Sequence, residues 1–252
     1  MELLRINNLR KTFPKNRVAA IDGVDFSVLK GEILGLVGES GCGKTTLSKV
    51  MLRLIAPDAG SVFYKDKDIL KIPAGEMLEL RKHMQIIFQD PYSSLDPRMK
   101  IGDIIDEVYS IHYSYSKEEA SRKKIGLLES VGLGESYLNR LPSQLSGGER
   151  QRVGIARALA TEPEFIICDE PVSSLDISIQ AQILNLLLNL QKEKNLTYLF
   201  ISHDLGVIGS LCDRVAVMKD GRLVELGACE EVFRDPKNEY TKALLKSIGG
   251  GK

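Results

Sequence analysis

Apolar and polar residues alternate along the first part of the chain. Leu3–Leu9 and Val24–Leu29 both show this alternation, which predicts two strands, and Asp22-Gly23 between them predicts a turn. Glu32–Val37 is a short, mostly apolar run that leads into a glycine-rich segment, and it predicts a third strand. The chain is therefore expected to open as a β-rich region.

Helical spacing appears after the glycine-rich segment. The apolar residues of Thr45–Ile55 recur at the intervals of a helix, which Pro57–Gly60 is expected to end. From about residue 90 to residue 160, most apolar residues follow the same period. Within that stretch, Ser116–Glu119 has the pattern of a capping box, which predicts a helix that ends at Gly132. The middle of the chain is therefore expected to be helical.

Strands return in the last third of the chain. Phe165–Cys168 and Thr197–Ile201 are apolar runs, and the helical pattern of Ser178–Lys192 separates them. A strand, a helix and a strand at this spacing form a βαβ unit and imply a parallel sheet. Val215–Lys219 and Arg222–Leu226, which an Asp-Gly pair joins, predict a hairpin. The order of these elements predicts a parallel α/β core with a helical insertion in its middle.

Composition and charge narrow the class of protein. Of the 252 residues, 43% are hydrophobic and 27% are charged, which is the balance of a globular protein. Lys and Arg together number 34, as do Asp and Glu, so the net charge is zero and a general nucleic-acid binder is not favoured. The four cysteines are far apart, which argues against a disulfide framework or a zinc site. There is no run of about 18 apolar residues and no secretory signal pattern, so we expect a cytosolic chain that does not itself cross a membrane.

Gly38–Thr45 carries the clearest chemistry in the sequence. It reads Gly-Glu-Ser-Gly-Cys-Gly-Lys-Thr and matches the phosphate-binding pattern G-x-x-x-x-G-K-[ST] in full, between a predicted strand and a predicted helix. The glycines let several backbone N–H groups point at one phosphate, and the positive end of the following helix adds to them. Lys44 is expected to reach the β- and γ-phosphates of a nucleotide and to face solvent without one, and Thr45 to bind Mg²⁺. The alternative is a glycine-rich turn that happens to carry Lys-Thr.

Two carboxylates follow the apolar run of Phe165–Cys168. They are Asp169 and Glu170, and an acidic residue at the carboxyl end of a parallel strand faces the ligand crevice. Asp169 suits a contact with Mg²⁺ through water, and Glu170 is placed to polarise an attacking water. Alone, such a pair is often a solvated turn, but together with the phosphate loop it favours a catalytic function.

Leu145–Glu149, with the sequence Leu-Ser-Gly-Gly-Glu, ends 20 residues before Asp169. Ser146 can cap the helix that follows, and Glu149 can close a capping box. An ordinary capped helix explains these two residues but not the paired glycines, which would let a phosphate approach the bare backbone. At this point the chain resembles the nucleotide-binding subunits of ATP-binding-cassette (ABC) transporters, whose signature segment has this sequence.

The resemblance extends over about residues 2–245 and supplies four further roles. Phe13 lies where these proteins carry an aromatic ring that stacks on adenine. Gln89 resembles the glutamine that senses Mg²⁺ and the γ-phosphate and joins the core to the helical insertion. Asp176 resembles the aspartate of the loop that crosses to the partner subunit, and His203 resembles the histidine that contacts the γ-phosphate.

The resemblance also implies a fold. This is the α/β fold of a P-loop NTPase of the ABC ATPase type, with a parallel-sheet core, an N-terminal antiparallel β subdomain and an inserted α-helical subdomain. It implies a single domain over residues 2–245, with the core at about 1–88 and 160–235, the helical subdomain at about 89–159, and a short tail at 236–252.

The implied site residues fall into four groups. Those that bind ATP are Phe13, Gly38, Glu39, Ser40, Gly41, Cys42, Gly43, Lys44, Thr45, Thr46 and Gln89. Those that bind Mg²⁺ are Thr45, Gln89 and Asp169. Those that act on the ATP of the partner subunit are Ser146, Gly147, Gly148 and Asp176. The catalytic residues are Glu170 and His203.

The family's mechanism implies the partners. ATP lies between the phosphate loop of one subunit and the signature segment of another, so a second ATP-binding subunit, identical or related, is implied. Two membrane-spanning permease subunits would dock near Gln89 and the helical insertion, and an extracytoplasmic substrate-binding protein would act indirectly. No nucleic-acid partner is implied, and the chain is expected to lie at the cytoplasmic face of the membrane as a peripheral subunit.

The residues in and around the family motifs indicate a branch of the family. Gln89–Arg98 and Asp176–Gln182 resemble the importers of oligopeptides, dipeptides and nickel. Glu239–Leu245 resembles the C-terminal H-P-Y-T-x-A-L-L of that branch, although Asn238-Glu239 stands where the branch has His-Pro. The resemblance implies an ATPase that powers a bacterial importer, and it leaves peptide or nickel open as the substrate.

Non-transport members of the superfamily are the alternatives. Soluble ABC ATPases that act on ribosomes normally carry two cassettes in one chain, and this chain has one. DNA-repair ATPases insert long coiled coils, and no sustained heptads occur between Lys44 and Ser146. A domain that regulates without hydrolysing ATP is disfavoured because Glu170 and His203 are both present.

Overall fold

The computed structural model describes residues 1–14 and 18–249. Over these residues the strands are β1 (Glu2–Phe13), β2 (Val18–Leu29), β3 (Ile33–Val37), β4 (Ala59–Tyr64), β5 (Lys67–Asp68), β6 (Met84–Ile87), β7 (Phe165–Asp169), β8 (Thr197–Ile201), β9 (Arg214–Lys219) and β10 (Arg222–Ala228). The helices are α1 (Lys44–Met51), α2 (Ala74–Arg81), α3 (Pro91–Ser94), α4 (Ile101–His112), α5 (Lys117–Ser130), α6 (Gly147–Leu159), α7 (Ile177–Lys194), α8 (Leu205–Leu211), α9 (Cys229–Arg234) and α10 (Glu239–Gly249). Two short 3₁₀ helices, Glu135–Asn139 and Pro142–Gln144, precede α6.

The chain folds as two compact units, of which the first comprises Met1–Met77 and Leu196–Lys252. Residues 250–252, the end of the predicted tail, lie outside the described residues. Part of this unit is an antiparallel sheet with the strand order β2-β1-β4-β5. Its other strands surround β3, which pairs in parallel with both β8 and β9, while β10 is antiparallel to β9. All five residues of β3 are buried, as expected for a parallel strand covered on both faces.

The pairing of β3 with β8 positions two candidate segments of the first unit. Ile33 is opposite Tyr198 and Leu36 is opposite Ile201, so the two strands run in register to the same edge. The phosphate loop follows β3 at that edge, and His203 follows β8 two residues after its end.

The second unit is Leu78–Asn195. It contains the parallel pair β6 and β7, in which Met84 is opposite Phe165 and Ile87 is opposite Cys168. It also contains α3 to α7, and in α7 the buried residues are Ile183, Leu187 and Leu190, which lie on one face of the helix. The predicted combination of antiparallel strands, parallel strands and a helical stretch in the middle of the chain is confirmed.

The predicted turn at Asp22-Gly23 is wrong. Both residues lie inside β2, where Leu9 is opposite Val24 and Arg10 is opposite Asp22, so Gly23 is an extra residue in the ladder. Gly23 has φ 69°, and a residue with positive φ serves a bulge as well as a turn. Instead, the described residues of β1 and β2 pair from Glu2 opposite Leu29 to Phe13 opposite Val18, and residues 15–17 lie outside the described ones.

Helix α1 ends earlier than predicted. Its last residue is Met51, not a residue just before Pro57, and Leu54 is 51% exposed although it continues the apolar period. Arg53 adopts φ 52°, which no helix continues, and its guanidinium donates to the carbonyls of Ile69 at 3.2 Å and Ile72 at 2.6 Å. Hydrogen bonds to residues 16 and 19 positions away therefore stabilise a non-helical backbone at Arg53, which the helical pattern did not predict.

A helix that crosses a bilayer must be both long enough and apolar enough to do so. Within residues 1–14 and 18–249, no helix meets both conditions.

Candidate ATP site

Two glycines of the phosphate loop are required by close packing within the first unit. A Cβ atom on Gly38 would lie 2.1 Å from the carbonyl oxygen of Met218, and one on Gly43 would lie 2.0 Å from that of Ala20. Gly43 also has φ 111°, which disfavours any side chain. Because the backbone itself blocks both positions, the course of the loop requires glycine at each of them.

Segments distant in sequence complete the support of the loop. The N–H of Gly221, in the turn between β9 and β10, donates to the carbonyl of Cys42 at 3.0 Å. The N–H of Glu39 donates to the hydroxyl of Tyr240 at 3.1 Å. Neither Gly221 nor Tyr240 was among the predicted site residues. Tyr240 does belong to Glu239–Leu245, the segment that resembles the C-terminal motif of the family branch.

Lys44 does not face solvent, and that prediction is wrong. The residue is 6% exposed, and its ammonium donates to the carbonyls of Gly38 at 2.7 Å and Glu39 at 2.9 Å. A buried charge needs hydrogen-bond partners, and the curled loop provides them from its own backbone. Lys44 therefore stabilises the shape of the loop in addition to any contact that it makes with phosphate.

The start of α1 suits an anion. Gly43 is the N-cap residue, no side chain caps the helix, and the first turn carries no acidic residue. The first N–H groups of a helix have no partner within it, so they attract a phosphate. Thr45 is exposed and Thr46 is half-buried at this end of the helix, and Ser40 and Gly41 are exposed in the loop.

His203 lies in a short segment whose backbone is well fixed. The N–H of Asp204 donates to the hydroxyl of Ser202 at 2.9 Å, and the Asp204 carboxylate accepts from the N–H of Gly206 at 2.8 Å to cap α8. These bonds hold the residues on both sides of His203, whose own side chain is exposed.

Phe13 is the last residue of β1 and is 38% exposed. An isolated Phe is more often part of a core, and this one is not. The ammonium of Lys11 lies 5.8 Å from the centre of its ring. The exposed ring is available to stack on a flat ligand.

In the second unit, Gln89 and Glu170 are in direct contact. Gln89 follows β6 by two residues and Glu170 follows β7, and the parallel pairing of these strands brings both to one edge. The amide nitrogen of Gln89 donates to Oε2 of Glu170 at 3.1 Å. The sequence predicted a role for each residue but not the contact between them.

The two adjacent carboxylates have different environments. Asp169 ends β7 and is 5% exposed, whereas Glu170 is half-buried and has φ 48°. A left-handed backbone at a residue with a side chain is strained and occurs often at functional sites. The carbonyl of Glu170 accepts from the Ser173 hydroxyl at 3.1 Å and from the Ser173 N–H at 3.3 Å, which holds this turn in place.

The predicted capping box of the signature segment is confirmed. Ser146 Oγ accepts from the N–H of Glu149 at 3.3 Å, and Glu149 Oε2 accepts from the N–H of Ser146 at 2.7 Å. Tyr137 donates its hydroxyl proton to the other oxygen of Glu149. That hydrogen bond is the main reason why the pKa of Glu149 lies below its usual range, so the carboxylate that closes the box stays charged. Ser146 itself is exposed.

The paired glycines of the signature have a structural explanation that the sequence did not reveal. A Cβ atom on Gly148 would lie 2.7 Å from Cγ2 of Ile179 in α7, and one on Gly147 would lie 3.3 Å from Leu175. The start of α6 therefore packs closely against α7 within the same unit. Close packing is therefore an explanation for the two glycines that does not involve a phosphate.

Asp176 occupies the N-cap position of α7 without capping it. Its side chain makes no cap hydrogen bond and is exposed, and the next residue, Ile177, is 86% exposed. The amide of Gln180 instead donates back to the carbonyl of Leu175 at 2.8 Å and steadies the turn. An aspartate in a fixed, exposed turn is available for an external contact.

The candidate metal ligands suit an ion that binds together with a nucleotide. They suit less well an ion that protein side chains hold alone. Over the described parts of the chain, no group of three or more His, Cys, Asp or Glu side chains could hold a metal ion. Mg²⁺ keeps several water ligands and takes others from phosphates, so it needs only one or two oxygen atoms from a protein. The Thr45 hydroxyl and the Asp169 carboxylate are oxygen ligands of this kind.

Comparison with known proteins identifies the family. Residues 21–173 match the family described as ABC transporter. The chain is 49% identical to the oligopeptide transport ATP-binding protein OppF of Bacillus subtilis, over 98% of this chain and 82% of that protein. It is 47% identical to the OppF protein of Streptococcus mutans, with the same two coverages.

Solved structures agree with these relatives. The structure of cbiO1 from Clostridium perfringens, part of the ABC transporter complex cbiONQ, matches with a TM-score of 0.82 and 28% identity over 98% of this chain and 97% of that one. A dimeric ATP-binding cassette in a post-hydrolysis state, bound to ADP and phosphate, matches with a TM-score of 0.79 and 28% identity over 90% of this chain and 98% of that one.

The fold is therefore that of an ABC ATPase cassette, whose reaction is the hydrolysis of ATP. The chain belongs to the ABC transporter family and, within it, to the group of the oligopeptide transport ATP-binding proteins. The predicted family, fold and ATPase activity are confirmed. Of the two substrates left open, the relatives' names mention oligopeptides and do not mention nickel.

Proposed function

We propose that the chain binds ATP with Mg²⁺, closes head-to-tail on a second ATP-binding subunit, and hydrolyses ATP to power the import of peptides. Family membership supports the reaction, and the names of the relatives support the peptide substrate. The contact between Gln89 and Glu170 carries the assignment of residues, because it joins a candidate sensor of the γ-phosphate to the candidate catalytic carboxylate.

The phosphate loop binds the nucleotide. Its N–H groups and the uncapped start of α1 attract the phosphates, and Lys44 adds a positive charge. The exposed ring of Phe13 stacks on the adenine. Thr45, Gln89 and Asp169 are the residues that would hold Mg²⁺, which would supply positive charge to offset that of the phosphates. The assignment of these three to one ion rests on the family's mechanism.

Glu170 orients and polarises the attacking water, and His203 contacts the γ-phosphate. The strained backbone of Glu170 and its hydrogen bond to Gln89 fix the direction of the carboxylate before substrate arrives. Fixed charges and dipoles of this kind stabilise a transition state without reorganising during the reaction.

The signature segment and Asp176 act on the ATP of the partner subunit. Ser146 and Asp176 are both exposed in turns that hydrogen bonds hold in place, so they present polar groups outward. This arrangement is what a head-to-tail dimer requires, because each ATP then touches both subunits.

Coupling to transport requires partners. Two membrane-spanning permease subunits dock near Gln89 and the helical stretch of about residues 89–159, and a substrate-binding protein delivers peptide from outside. The chain then lies on the cytoplasmic face of the membrane. Gln89 is suited to link docking with hydrolysis because it contacts Glu170 directly.

Purification from native membranes tests the transport assignment. The tagged chain is expected to bring two permease subunits with it, and vesicles that contain the whole complex should import a peptide in an ATP-dependent manner. Uptake of Ni²⁺ by the same vesicles serves as the comparison. A chain that purifies alone from solubilised membranes, or with ribosomes, would contradict the proposal.

A further inference from the structure

Tyr240 connects the C-terminal helix to the phosphate loop. It is the second residue of α10, and its hydroxyl oxygen accepts the backbone N–H of Glu39 at 3.1 Å, across 201 positions of sequence. Its ring lies 4.8 Å from the ammonium of Lys219, the last residue of β9. All of these residues belong to the first unit.

Local hydrogen bonds fix the position of Tyr240. The Oδ1 atom of Asn238 accepts the N–H of Tyr240 at 2.9 Å. The carboxylate of Glu225, in β10, accepts the N–H groups of Lys237 at 2.7 Å and Asn238 at 3.1 Å. Asn238 stands where the family branch has histidine, and it ties the start of α10 in place. The tyrosine hydroxyl is therefore held where it is, on a helix anchored to the sheet.

The residue that Tyr240 holds also holds Lys44. The carbonyl of Glu39 accepts the Lys44 ammonium at 2.9 Å and the N–H of Cys42 at 3.3 Å, while its N–H goes to Tyr240. Burial raises the pKa of Tyr240, so the phenol stays neutral around neutral pH. A displacement of Glu39 would move a carbonyl that positions the lysine.

We infer that Tyr240 is a positioning residue for the phosphate loop, and that α10 is part of the nucleotide-binding apparatus. Tyr240 touches neither ATP nor Mg²⁺ in this proposal and acts through Glu39. The inference rests on the proposed binding of ATP by this loop.

Tyr240→Phe removes the hydroxyl and keeps the ring that packs near Lys219. The loss of one net hydrogen bond corresponds to about a 2- to 10-fold change in an equilibrium, so the Kd for ATP is expected to rise by that factor. Titration calorimetry of the chain with ATP and Mg²⁺ measures the affinity. Amide hydrogen exchange, followed at Glu39 by NMR without nucleotide, should become faster, because this N–H loses its acceptor.

A matched control separates positioning from general stability. Tyr64→Phe removes a hydroxyl from a buried tyrosine of the same unit, in the antiparallel sheet, and should leave both the Kd and the exchange at Glu39 unchanged. Wild-type affinity in Tyr240→Phe, or an equal loss in Tyr64→Phe, would overturn the inference. Lys44→Ala, measured in parallel, distinguishes a failure of the proposed function itself, since wild-type affinity in that variant would mean that the loop does not bind ATP.

Discussion

The phosphate loop and the signature segment both combine glycines with the start of a helix, yet the two segments use their groups differently. In the phosphate loop, backbone atoms block a Cβ at Gly38 and Gly43, and Lys44 is buried on loop carbonyls. In the signature, the nearest obstacle to Gly148 is a side chain, and Ser146 is exposed. The charged side chain of the first segment is buried, whereas the second segment presents a hydroxyl outward. The proposed function assigns ATP binding to the first segment and completion of a site on another subunit to the second.

Among the substitutions that test this comparison, Gly43→Ala should have the largest effect on ATP binding. A methyl group there would meet the Ala20 carbonyl at 2.0 Å and force a residue with a side chain to φ 111°. The methyl group cannot avoid the Ala20 carbonyl by a change of rotamer, because that obstacle is a backbone atom. The positive φ remains unfavourable for any residue with a side chain. We expect ATP binding, measured by calorimetry, to fall below detection.

The matched control for Gly43→Ala is Gly75→Ala, near the start of α2 and in the same unit as Gly43, where a Cβ meets nothing within 4 Å. That variant should bind ATP as the wild type does. Normal binding in Gly43→Ala would mean that the loop adopts another course when nucleotide binds.

Glu170→Gln tests the catalytic carboxylate of the second unit. The substitution keeps size and hydrogen bonding but removes the charge and basicity that polarise the water. A general base contributes about 10²–10⁴-fold, so phosphate release should fall by that order. ATP binding should survive, and the variant should accumulate an ATP-bound dimer in size-exclusion chromatography, since a negative charge close to the γ-phosphate is removed. Near wild-type hydrolysis would exclude Glu170 from this role.

Gly148→Ala should have a smaller effect, on stability. The added methyl group would lie 2.7 Å from Cγ2 of Ile179, and overpacking of this kind costs about 1–3 kcal/mol in the free energy of unfolding. Gly154→Ala, in the same helix and with nothing within 4 Å, should instead stabilise the protein by up to about 1 kcal/mol. Urea denaturation measures both.

A second substitution sharpens this test. Gly148→Ala should cost less stability on an Ile179→Ala background than in the wild type, because the obstructing methyl group is then absent. Equal stability of Gly148→Ala and Gly154→Ala would show that α6 does not pack closely on α7.

Local chemistry explains which structural features of the candidate site could be predicted. Gly38–Thr45, Asp169-Glu170 and Ser146–Glu149 each contain within a few residues the groups that define their structure, and the capping box formed as the sequence implied. The central strands could be placed because short apolar runs between turn residues have few alternatives.

What could not be predicted depends on contacts between distant segments. Lys44 is buried because the loop curls around it, and Tyr240 contacts Glu39 across 201 positions of sequence. The packing of Gly148 on Ile179 depends likewise on another helix. Gly23 shows a further limit, since the same positive φ serves a turn or a bulge and pairing of the strands decides between them.

Binding of ATP to the isolated monomer, compared between Ser146→Arg and Lys44→Ala, tests the central claim most directly. Lys44→Ala removes the cation that is proposed to contact the phosphates, and a charged hydrogen bond of about 1.5–3 kcal/mol corresponds to a roughly 10- to 150-fold weaker Kd. Ser146→Arg should bind ATP with wild-type affinity as a monomer, while dimer formation and hydrolysis are blocked. If Ser146→Arg weakens monomer binding as much as Lys44→Ala does, the signature segment belongs to the pocket of its own subunit, and the head-to-tail account is contradicted.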